Sequence, residues 1–385
     1  MLGGMCMQKY RIVCVIALVL MLIMSYLTLT TKVNASASVV AVGDNLIHPV
    51  VYNDAKVGSN KYDFKPMYKH VKSNIQQADF AYVNQESPIG GDDKPYSGFK
   101  QFNTPSDVTK AIVDSGFNII NGANNHSLDQ GDSGVTNHIN AWKPYRHDVL
   151  FSGVFKSQKE SEAVHSITRN GITVSLLCYT YGTNGQISQY PYTVKTFDEA
   201  TIKKDVRKAK EHSDAVIVSA HWGNENHTMP NEKQQKYAQL FADEGVDVVL
   251  GMHPHVIQPV KWVKGKNQHR TLVAYSLGNF LNGQYTSTEW NQLLGRLNFN
   301  LEKTSKGVTV NNVKWRSMVN HYEQSKPMDK RTRKHFVLYN LHDYTPALAE
   351  KHALRQNIQS QWDIPHLQQM TKSIIDDEFL DAQSI

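Results

Sequence analysis

The chain has 385 residues, of which 40% are hydrophobic and 20% charged, a composition that supports a packed core and excludes global disorder. This length suits two average domains, or one large α/β domain with an appendage. The formal net charge of +6 falls to +3 once the three basic residues of positions 1–37 are set aside. Because basic and aromatic residues are not interleaved in a stripe, nucleic acid is not an expected partner.

The amino-terminal segment 12–31 is uncharged, follows two basic residues, and has about the 20 apolar residues that span a bilayer. Its length favours a single-pass anchor, whereas Ala35 and Ala37 form an A-x-A signature for cleavage as a signal peptide. In either case the positive flank places the main domain outside the cell. We therefore expect residues 1–37 to attach the chain to the cell membrane, or the protein to be secreted if they are cleaved. Cys178 is the single cysteine of the exported part, so no internal disulfide is expected there.

Apolar runs alternate with helical patterns along the rest of the chain. The first run covers residues 38–42 and is expected to stop at Gly43. Helices are predicted over "DVTKAIVDSG", closing on Gly116, and over "NEKQQKYAQLFADEG", with Gly245 at the C′ position. Strands that alternate with helices predict a layered α/β fold, in which ligands gather at the carboxyl ends of the strands.

The apolar runs end on a narrow set of residue types, chiefly Asp, Glu, Asn and His. These oxygen and imidazole donors, with no thiolate among them, suit divalent transition metals. The sharpest example is His253-Pro-His255, because residues i and i+2 at a strand tip point the same way and can hold one ion. Ordinary polar strand ends are the alternative interpretation. The candidates are Asp44, His48, Glu86, Asn124, Asn125, His126, His221, His253, His255, Ser276 and Asn279.

The pattern changes after residue 290. The stretch "GRLNFNLEKTSKGVTVNNVKWRSMV" alternates apolar and polar residues around "KTSKG", which predicts an antiparallel hairpin. Helical pieces such as "DEFLDAQSI" follow. We expect residues 286–385 to be a β-hairpin and helical extension without visible chemistry.

Six motifs lie within residues 38–285, namely "VGDNLIH" (42–48), "VNQESPI" (83–89), "NGANNHSLDQG" (121–131), "SAHWGNEN" (219–226), "GMHPHVIQP" (251–259) and "YSLGNF" (275–280). As a set they resemble the capsule-synthesis CapA family of poly-γ-glutamate biosynthesis proteins. The resemblance implies a fold like that of the calcineurin-type metallophosphoesterases, a layered α/β sandwich of mixed β-sheets flanked by helices. Two positions depart from the broader phosphoesterase pattern: Asp44 is followed by histidine only at His48, and Glu86 stands where an aspartate commonly bridges two ions.

Within this resemblance we expect a site for one or two divalent ions of Mn, Fe or Zn at the carboxyl edge of the sheet. The predicted ligands, with Glu86 between the ions, are Asp44, Glu86, Asn125, His221, His253 and His255. The predicted catalytic residues are His126 as general acid, Asp129 to orient it, and Glu225. The predicted substrate contacts are His48, Asn124, Trp222, His227, Ser276 and Asn279.

The expected function is in capsule or poly-γ-glutamate synthesis and export, where the site acts on or binds a γ-glutamyl polymer or its precursor. The expected partners are that anionic polymer, membrane-bound synthesis or export subunits, and the membrane itself through the amino-terminal helix. The enzyme class would be a metal-dependent hydrolase, either phosphoesterase-like or a γ-glutamyl amide hydrolase or transferase. Two alternatives stay open, a general extracellular phosphoesterase and a non-catalytic scaffold subunit.

Overall fold

The computed structural model describes residues 35–385 apart from 287, 328 and 357–359, together with Ile16 and Val19. The segment 12–31, predicted to be an anchor or signal peptide, lies outside the described residues apart from those two positions. Among the residues described, no helix is both long enough and apolar enough to cross a membrane.

The described chain alternates strands with helices. The strands are β1 (Ala35–Leu46), β2 (Lys56–Gly58), β3 (Lys61–Tyr62), β4 (Phe80–Gln85), β5 (Ile119–Asn121), β6 (Leu150–Ser152), β7 (Ser166–Arg169), β8 (Ile172–Thr180), β9 (Ala215–His221), β10 (Val248–Met252), β11 (Val260–Lys264), β12 (Arg270–Ala274), β13 (Asn279–Asn282), β14 (Leu293–Thr304), β15 (Gly307–Gln324) and β16 (Arg333–Asn340). The α-helices are α1 (Pro49–Asp54), α2 (Lys65–Tyr68), α3 (Lys72–Gln76), α4 (Val108–Asp114), α5 (Gly131–Trp142), α6 (Gln158–Glu162), α7 (Glu199–His212), α8 (Glu232–Glu244), α9 (Glu289–Gln292), α10 (Pro346–Lys351) and α11 (Ile364–Ile374).

Two mixed sheets form the centre of the fold. The first has eight strands in the order β16-β15-β14-β1-β4-β5-β6, with β13 also paired to β1. The second has six strands in the order β11-β12-β10-β9-β8-β7. Each sheet contains four neighbouring parallel strands whose carboxyl ends share one edge: β1, β4, β5 and β6 in the first sheet, and β8, β9, β10 and β12 in the second.

The two sheets pack against each other through one hydrophobic core. Along β1, Val39 and Ala41 point into this core, while Val40 and Val42 point to the opposite face of the sheet. This alternation follows from the two-residue repeat of a strand. The outer face of the first sheet is covered by α1 to α4, and the outer face of the second by α7 and α8. The prediction of a layered α/β fold of mixed sheets flanked by helices is confirmed.

The two predicted helices are present as α4 and α8. Helix α8 begins at a capping box made by Asn231 and Gln234, and it ends at Gly245, whose φ of 81° is left-handed. Gly116 follows α4 with a φ of 101°. Both glycines adopt a backbone conformation that residues with a side chain rarely tolerate, which is why the helices end there.

The first strand does not stop at Gly43, as the sequence suggested, because β1 continues to Leu46. Gly43 serves a different purpose. A Cβ atom at this position would lie 1.8 Å from the carbonyl oxygen of Gly278, so only glycine allows β1 to pass so close to the segment that leads into β13. Asp44 is consequently an internal strand residue.

Residues 286–385 add strands to the first sheet. The predicted hairpin is present as β14 and β15, which turn between Thr304 and Gly307. Strand β14 pairs antiparallel with β1 from Ala35↔Lys303 to Val42↔Arg296. The helix expected over "DEFLDAQSI" is wrong in extent, since a single 3₁₀ turn, Asp377–Phe379, is observed.

Candidate metal centre

The carboxyl ends of the parallel strands of both sheets converge on one cluster of carboxylates and imidazoles. Asp44 lies within β1, Glu86 follows β4, His221 ends β9, and His253 and His255 follow β10. In three overlapping groups, one ligand atom of each residue lies within 4.8 Å of the others. The groups are Asp44, Glu86 and His255; Glu86, His221 and His253; and Glu225, His253 and His255.

Glu86 is the residue that the first two groups share. Its side chain is fully buried, and neither carboxylate oxygen has a hydrogen-bond partner among the described residues. Its Oε1 lies 3.6 Å from His221 Nε2 and 3.8 Å from His255 Nε2. Burial, followed by the charge of Asp44, raises the pKa of Glu86 well above its ordinary value. A buried carboxylate in this state needs either a proton or a cation beside it.

His221 and His253 are suited to bind a cation because burial keeps them neutral. Burial lowers the pKa of both imidazoles well below the ordinary histidine value, and the neighbouring histidines lower it further. The Nδ1 atoms of both rings lack a hydrogen-bond partner within the described part of the chain. A neutral imidazole with a free nitrogen is the form of histidine that binds metals.

His255 and Asp44 form a second pair of neighbouring side chains in the cluster. His255 Nδ1 lies 3.2 Å from Asp44 Oδ2 and 3.0 Å from Asn279 Oδ1. Although burial lowers it, the charge of Glu86 and the hydrogen bond to Asp44 raise the pKa of His255 to about 9. His253 and His255 have φ values of 96° and 58°, an uncommon backbone state for residues with a side chain. Such strain is typical of sites that the surrounding fold holds in place.

Asp44 is fixed by a row of amides across three adjacent strands. Asp44, Asn84 and Asn121 stand in register on β1, β4 and β5. Asn121 Nδ2 donates to Asn84 Oδ1 at 2.8 Å, and Asn84 Nδ2 donates to Asp44 Oδ1 at 2.7 Å. The backbone N–H of His253 donates to Asp44 Oδ2 at 3.2 Å. Sequence reasoning assigned no role to either asparagine, although both end neighbouring predicted strands at equivalent positions.

The turn after β5 brings Asn125, His126 and Asp129 to the same place. Asn125 Oδ1 lies 2.8 Å from His221 Nε2. His126 Nδ1 lies 2.8 Å from Asp129 Oδ2, which also accepts the backbone N–H of Phe102 at 2.7 Å. The edge-to-face contact with Phe102, at 4.8 Å between ring centroids, fixes the imidazole plane. The arrangement holds one nitrogen of His126 and leaves the other for proton transfer.

An open cleft of about 870 Å³ leads to this cluster. Asn125, Asp129 and Glu225 line it, together with Phe99 and Lys100 from the loop that follows β4. Glu225 is exposed, in contrast to the buried Glu86. A substrate in the cleft would therefore reach the cluster beside Asn125 and the His126–Asp129 pair.

Three of the residues predicted to contact the substrate form hydrogen bonds within the protein instead. Trp222 is buried in the core of the second sheet and donates its indole N–H to the Tyr275 carbonyl at 2.9 Å. Ser276 Oγ accepts from the Gly278 N–H at 3.1 Å. Asn124 Oδ1 accepts from the His126 N–H at 2.9 Å and so shapes the turn.

The other three predicted contacts also have partners within the protein. Asn279 contacts His255 directly, as described above. His48 is buried, with Nδ1 3.0 Å from the Leu46 carbonyl oxygen and 3.2 Å from the Gly283 nitrogen. His227 is exposed, and its Nδ1 lies 2.8 Å from the carbonyl oxygen of Glu225.

Sequence reasoning missed Tyr181 and Asn184, which belong to the loop after β8. The ring of Tyr181 lies 4.6 Å from that of His253 between centroids. Asn184 Oδ1 accepts from Asn125 Nδ2 at 3.3 Å and from the Tyr181 hydroxyl at 3.3 Å. The available signal was the end of the apolar run "GITVSLLCYT", which places this loop at the same sheet edge as His221.

The fold and the cluster together define a mixed α/β protein with several sheets, helices on their outer faces, and grouped His, Glu and Asp side chains compatible with a divalent metal ion. The chain belongs to the family described as bacterial capsule synthesis protein PGA_cap, whose model matches residues 38–284. The family resemblance seen in the sequence is thereby confirmed.

Two similar proteins from Bacillus species are both described as CapA biosynthesis proteins. The PGA biosynthesis protein CapA of Bacillus subtilis (strain 168) is 26% identical over 300 residues, covering 75% of this chain and 69% of that protein. The capsule biosynthesis protein CapA of Bacillus anthracis is 29% identical over 233 residues, covering 58% of this chain and 55% of that protein. Among solved structures, the crystal structure of a novel phosphatase from Mycoplasma pneumoniae aligns with a TM-score of 0.42 and 14% identity, covering 74% of this chain and 94% of that one.

Proposed function

We propose that this protein is a metal-dependent hydrolase or transferase of capsule synthesis that acts outside the cell on a γ-glutamyl polymer or its precursor. The observation that carries the proposal is Glu86, a fully buried carboxylate that has no hydrogen-bond donor among the described residues and is surrounded by imidazoles. Membership of the capsule synthesis family supports the polymer as the substrate class. The apolar segment 12–31 with its positive flank supports an extracellular main domain held at the membrane.

The donor set fits a divalent transition metal. Carboxylate and imidazole ligands suit Mn, Fe and Zn, and no thiolate belongs to the three groups. Asp44, Glu86 and His255 would hold one ion, and Glu86, His221 and His253 would hold another, so Glu86 is the residue able to bridge. Asn125 is the remaining proposed ligand. Its Oδ1 lies 2.8 Å from His221 Nε2, which places the amide oxygen beside the other proposed ligands.

Bound divalent ions lower the pKa of a coordinated water and neutralise negative charge that develops on the reacting carbonyl or phosphoryl group. The residues of the chain align the substrate and donate the proton. The cleft aligns the substrate past Asn125, and Glu225 lies at its open side. His126, held through Nδ1 by Asp129, gives a proton from its other nitrogen to the leaving group.

The test combines metal content with two substrates. The purified full chain is analysed for bound Mn, Fe and Zn, and it is then assayed on poly-γ-glutamate and on a generic phosphodiester. We expect bound metal and the release of new amino groups from the polymer. We expect Glu86→Gln to lose both, whereas Glu232→Gln, a change at an exposed glutamate of α8, keeps both.

Other outcomes would overturn the proposal in favour of the two alternatives. Turnover of the phosphodiester without any cleavage of the polymer would favour a general extracellular phosphoesterase. A chain without metal, whose role in polymer production is unaffected by Glu86→Gln, would favour a scaffold that recruits membrane-bound synthesis or export subunits.

A further inference from the structure

A second polar cavity lies away from the metal centre, on the outer face of the first sheet. It has a volume of about 540 Å³ and runs over β1, β14 and β15 beside α3. Three cations line it, namely Arg296, Lys314 and Arg316, and Asp381 is the one carboxylate among its lining residues. We call this cavity the arginine groove.

Arg296 is a buried cation without a carboxylate partner. Only 4% of the surface of Arg296 is exposed. Nε donates to Asn298 Oδ1 at 3.2 Å and Nη1 donates to Asn340 Oδ1 at 2.8 Å, so both partners are neutral amides. In the described part of the chain no carboxylate oxygen lies within ion-pair distance of this guanidinium; Asp343 accepts a hydrogen bond from the amide of Asn340, and its charge acts on Arg296 from a longer distance. A buried charge left unpaired is costly, which an anionic ligand would relieve.

The position of Arg316 makes the need for an anion stronger. Arg296 and Arg316 are direct cross-strand partners on β14 and β15, and like charges placed opposite each other destabilise a sheet. Arg316 is compensated by a bidentate pair with Asp381, at 2.8 Å and 2.9 Å. Burial and the charge of Arg316 lower the pKa of Arg296 to about 10. Of the two opposed arginines, Arg316 therefore has a carboxylate in direct contact, whereas Arg296 has none among the described residues.

The remaining polar lining indicates what kind of anion fits. Amide side chains of Asn298, Asn300 and Asn312 line it on the strands, and Asn74 of α3 and Gln77, directly after α3, line it from the other side. An amide both donates and accepts hydrogen bonds, as a peptide link does, whereas a guanidinium forms paired bonds with a carboxylate. A groove lined by both kinds of group matches a chain that carries both carboxylates and amides.

We propose that the arginine groove binds an acidic polyamide chain, with one carboxylate against Arg296. The choice of a γ-glutamyl chain as that polyamide rests on the proposed function. The groove lies over residues 38–40 of β1, at least four residues before Asp44, which is roughly 13 Å along the strand. Binding in the groove therefore does not use the metal ligands, and it retains the polymer on the protein independently of catalysis.

The experiment measures binding of a γ-linked glutamate decamer to the purified full chain by calorimetry. Arg296→Gln should weaken binding about tenfold or more, as expected for a lost charge-assisted hydrogen bond. The matched control is Arg207→Gln, which removes the same charge from an exposed position on α7 and should leave the affinity unchanged. Circular dichroism checks the fold of each variant.

A second variant keeps the proposal testable if Arg296→Gln does not fold. Asp381→Asn removes the carboxylate that competes for Arg316, so the decamer should bind several-fold more tightly. Unchanged affinity in a folded Arg296→Gln protein, or in Asp381→Asn when Arg296→Gln does not fold, would overturn the proposal. Tighter, Arg296-dependent binding of glycerol phosphate or inorganic phosphate than of the decamer would also overturn it, because the ligand would then be a lipid headgroup or a free phosphate.

The metal-centre variant separates this proposal from the proposed function. In the Glu86→Gln background, Arg296→Gln should weaken decamer binding by the same factor as in the unaltered chain, since Glu86 is not part of the groove. If the full chain neither holds metal nor cleaves the polymer but binds the decamer through Arg296, the proposed function fails and the groove stands. If catalysis is observed without Arg296-dependent binding, the groove fails and the proposed function stands.

Discussion

At the scale of single residues, the His126–Asp129 pair allows a direct test of the proposed general acid. Asp129 Oδ2 accepts from the backbone of Phe102 and lies 2.8 Å from His126 Nδ1, so it holds the imidazole in one orientation through that nitrogen. Asp129→Asn keeps the shape but presents an amide to Nδ1. We expect kcat on the polymer to fall by about 10²-fold or more, as for the loss of a general acid, with KM little changed.

Steady-state kinetics on the polymer, together with bound-metal analysis, check this prediction. Asp148→Asn, a change at an exposed aspartate, is the control and should retain full kcat. A fall in metal content in step with kcat would contradict the assignment, because Asp129 would then support the metal site and not the proton donor.

His138 offers a test of how burial affects stability. It lies inside α5, its Nε2 has no hydrogen-bond partner among the described residues, and burial lowers its pKa to about 3. The folded protein therefore holds it neutral, whereas the unfolded chain takes up a proton below its ordinary pKa of 6.5. As the pH falls from about 6.5 towards 3, the free energy of unfolding drops by about 1.4 kcal/mol per pH unit from this residue.

His138→Leu removes that term, because leucine does not titrate. Between pH 7 and pH 5 the unaltered chain should lose about 2 kcal/mol more of its free energy of unfolding than the variant does. Urea unfolding at several pH values measures it. His147→Leu, at an exposed histidine, serves as the control, and an equal gain in that variant would show that burial is not the cause.

At the scale of elements, the site depends on how closely β1 approaches β13. Gly43→Ala places a methyl group 1.8 Å from the Gly278 carbonyl oxygen, so the backbone must move. We expect a loss of stability of at least about 1–3 kcal/mol together with weaker metal binding, because Asp44 and Asn279 pair in register across these two strands. Thermal unfolding and metal titration measure the two effects.

Gly182→Ala is the matched control for this change, since a Cβ there meets nothing within 4 Å. That variant should unfold at the same temperature as the unaltered chain. If Gly43→Ala were equally harmless, the close approach of the two segments would not be a requirement for the site.

Local sequence patterns predicted the strands and helices well, but they did not predict which strands pair with each other. The strand ends that carry Glu86 and His253 were visible because polar residues interrupt apolar runs, and parallel strands bring such ends to one edge, whereas Asp44 lies inside β1 and not at the end predicted for it. The pairing of β14 with β1 was not visible, because it joins segments about 250 residues apart that share no local signal. For the same reason the opposition of Arg296 and Arg316 emerged only with the register of the sheet.

At the scale of the whole molecule, the two sheets meet so that polar edges from both surround one buried carboxylate. The first sheet supplies Asp44 and Glu86, and the second supplies His221, His253 and His255. Neither sheet alone holds a complete set of ligands. The common core between the sheets is therefore what fixes the distances within the metal centre.

Because the core between the sheets includes residues beyond the family-matched region 38–284, we expect that region not to fold alone. Residues 286–385 contribute Leu297, Phe299 and Trp315 to the core that lies between the sheets, and β14 covers the edge of β1. A chain that ends at residue 285 would leave that edge unpaired and the core open, and exposed edges of this kind promote aggregation. We expect residues 38–285 to be insoluble or unfolded, and residues 38–385 to be folded. Circular dichroism and size-exclusion chromatography distinguish the two, and a folded, monomeric 38–285 fragment with full metal content would show that the added strands are dispensable.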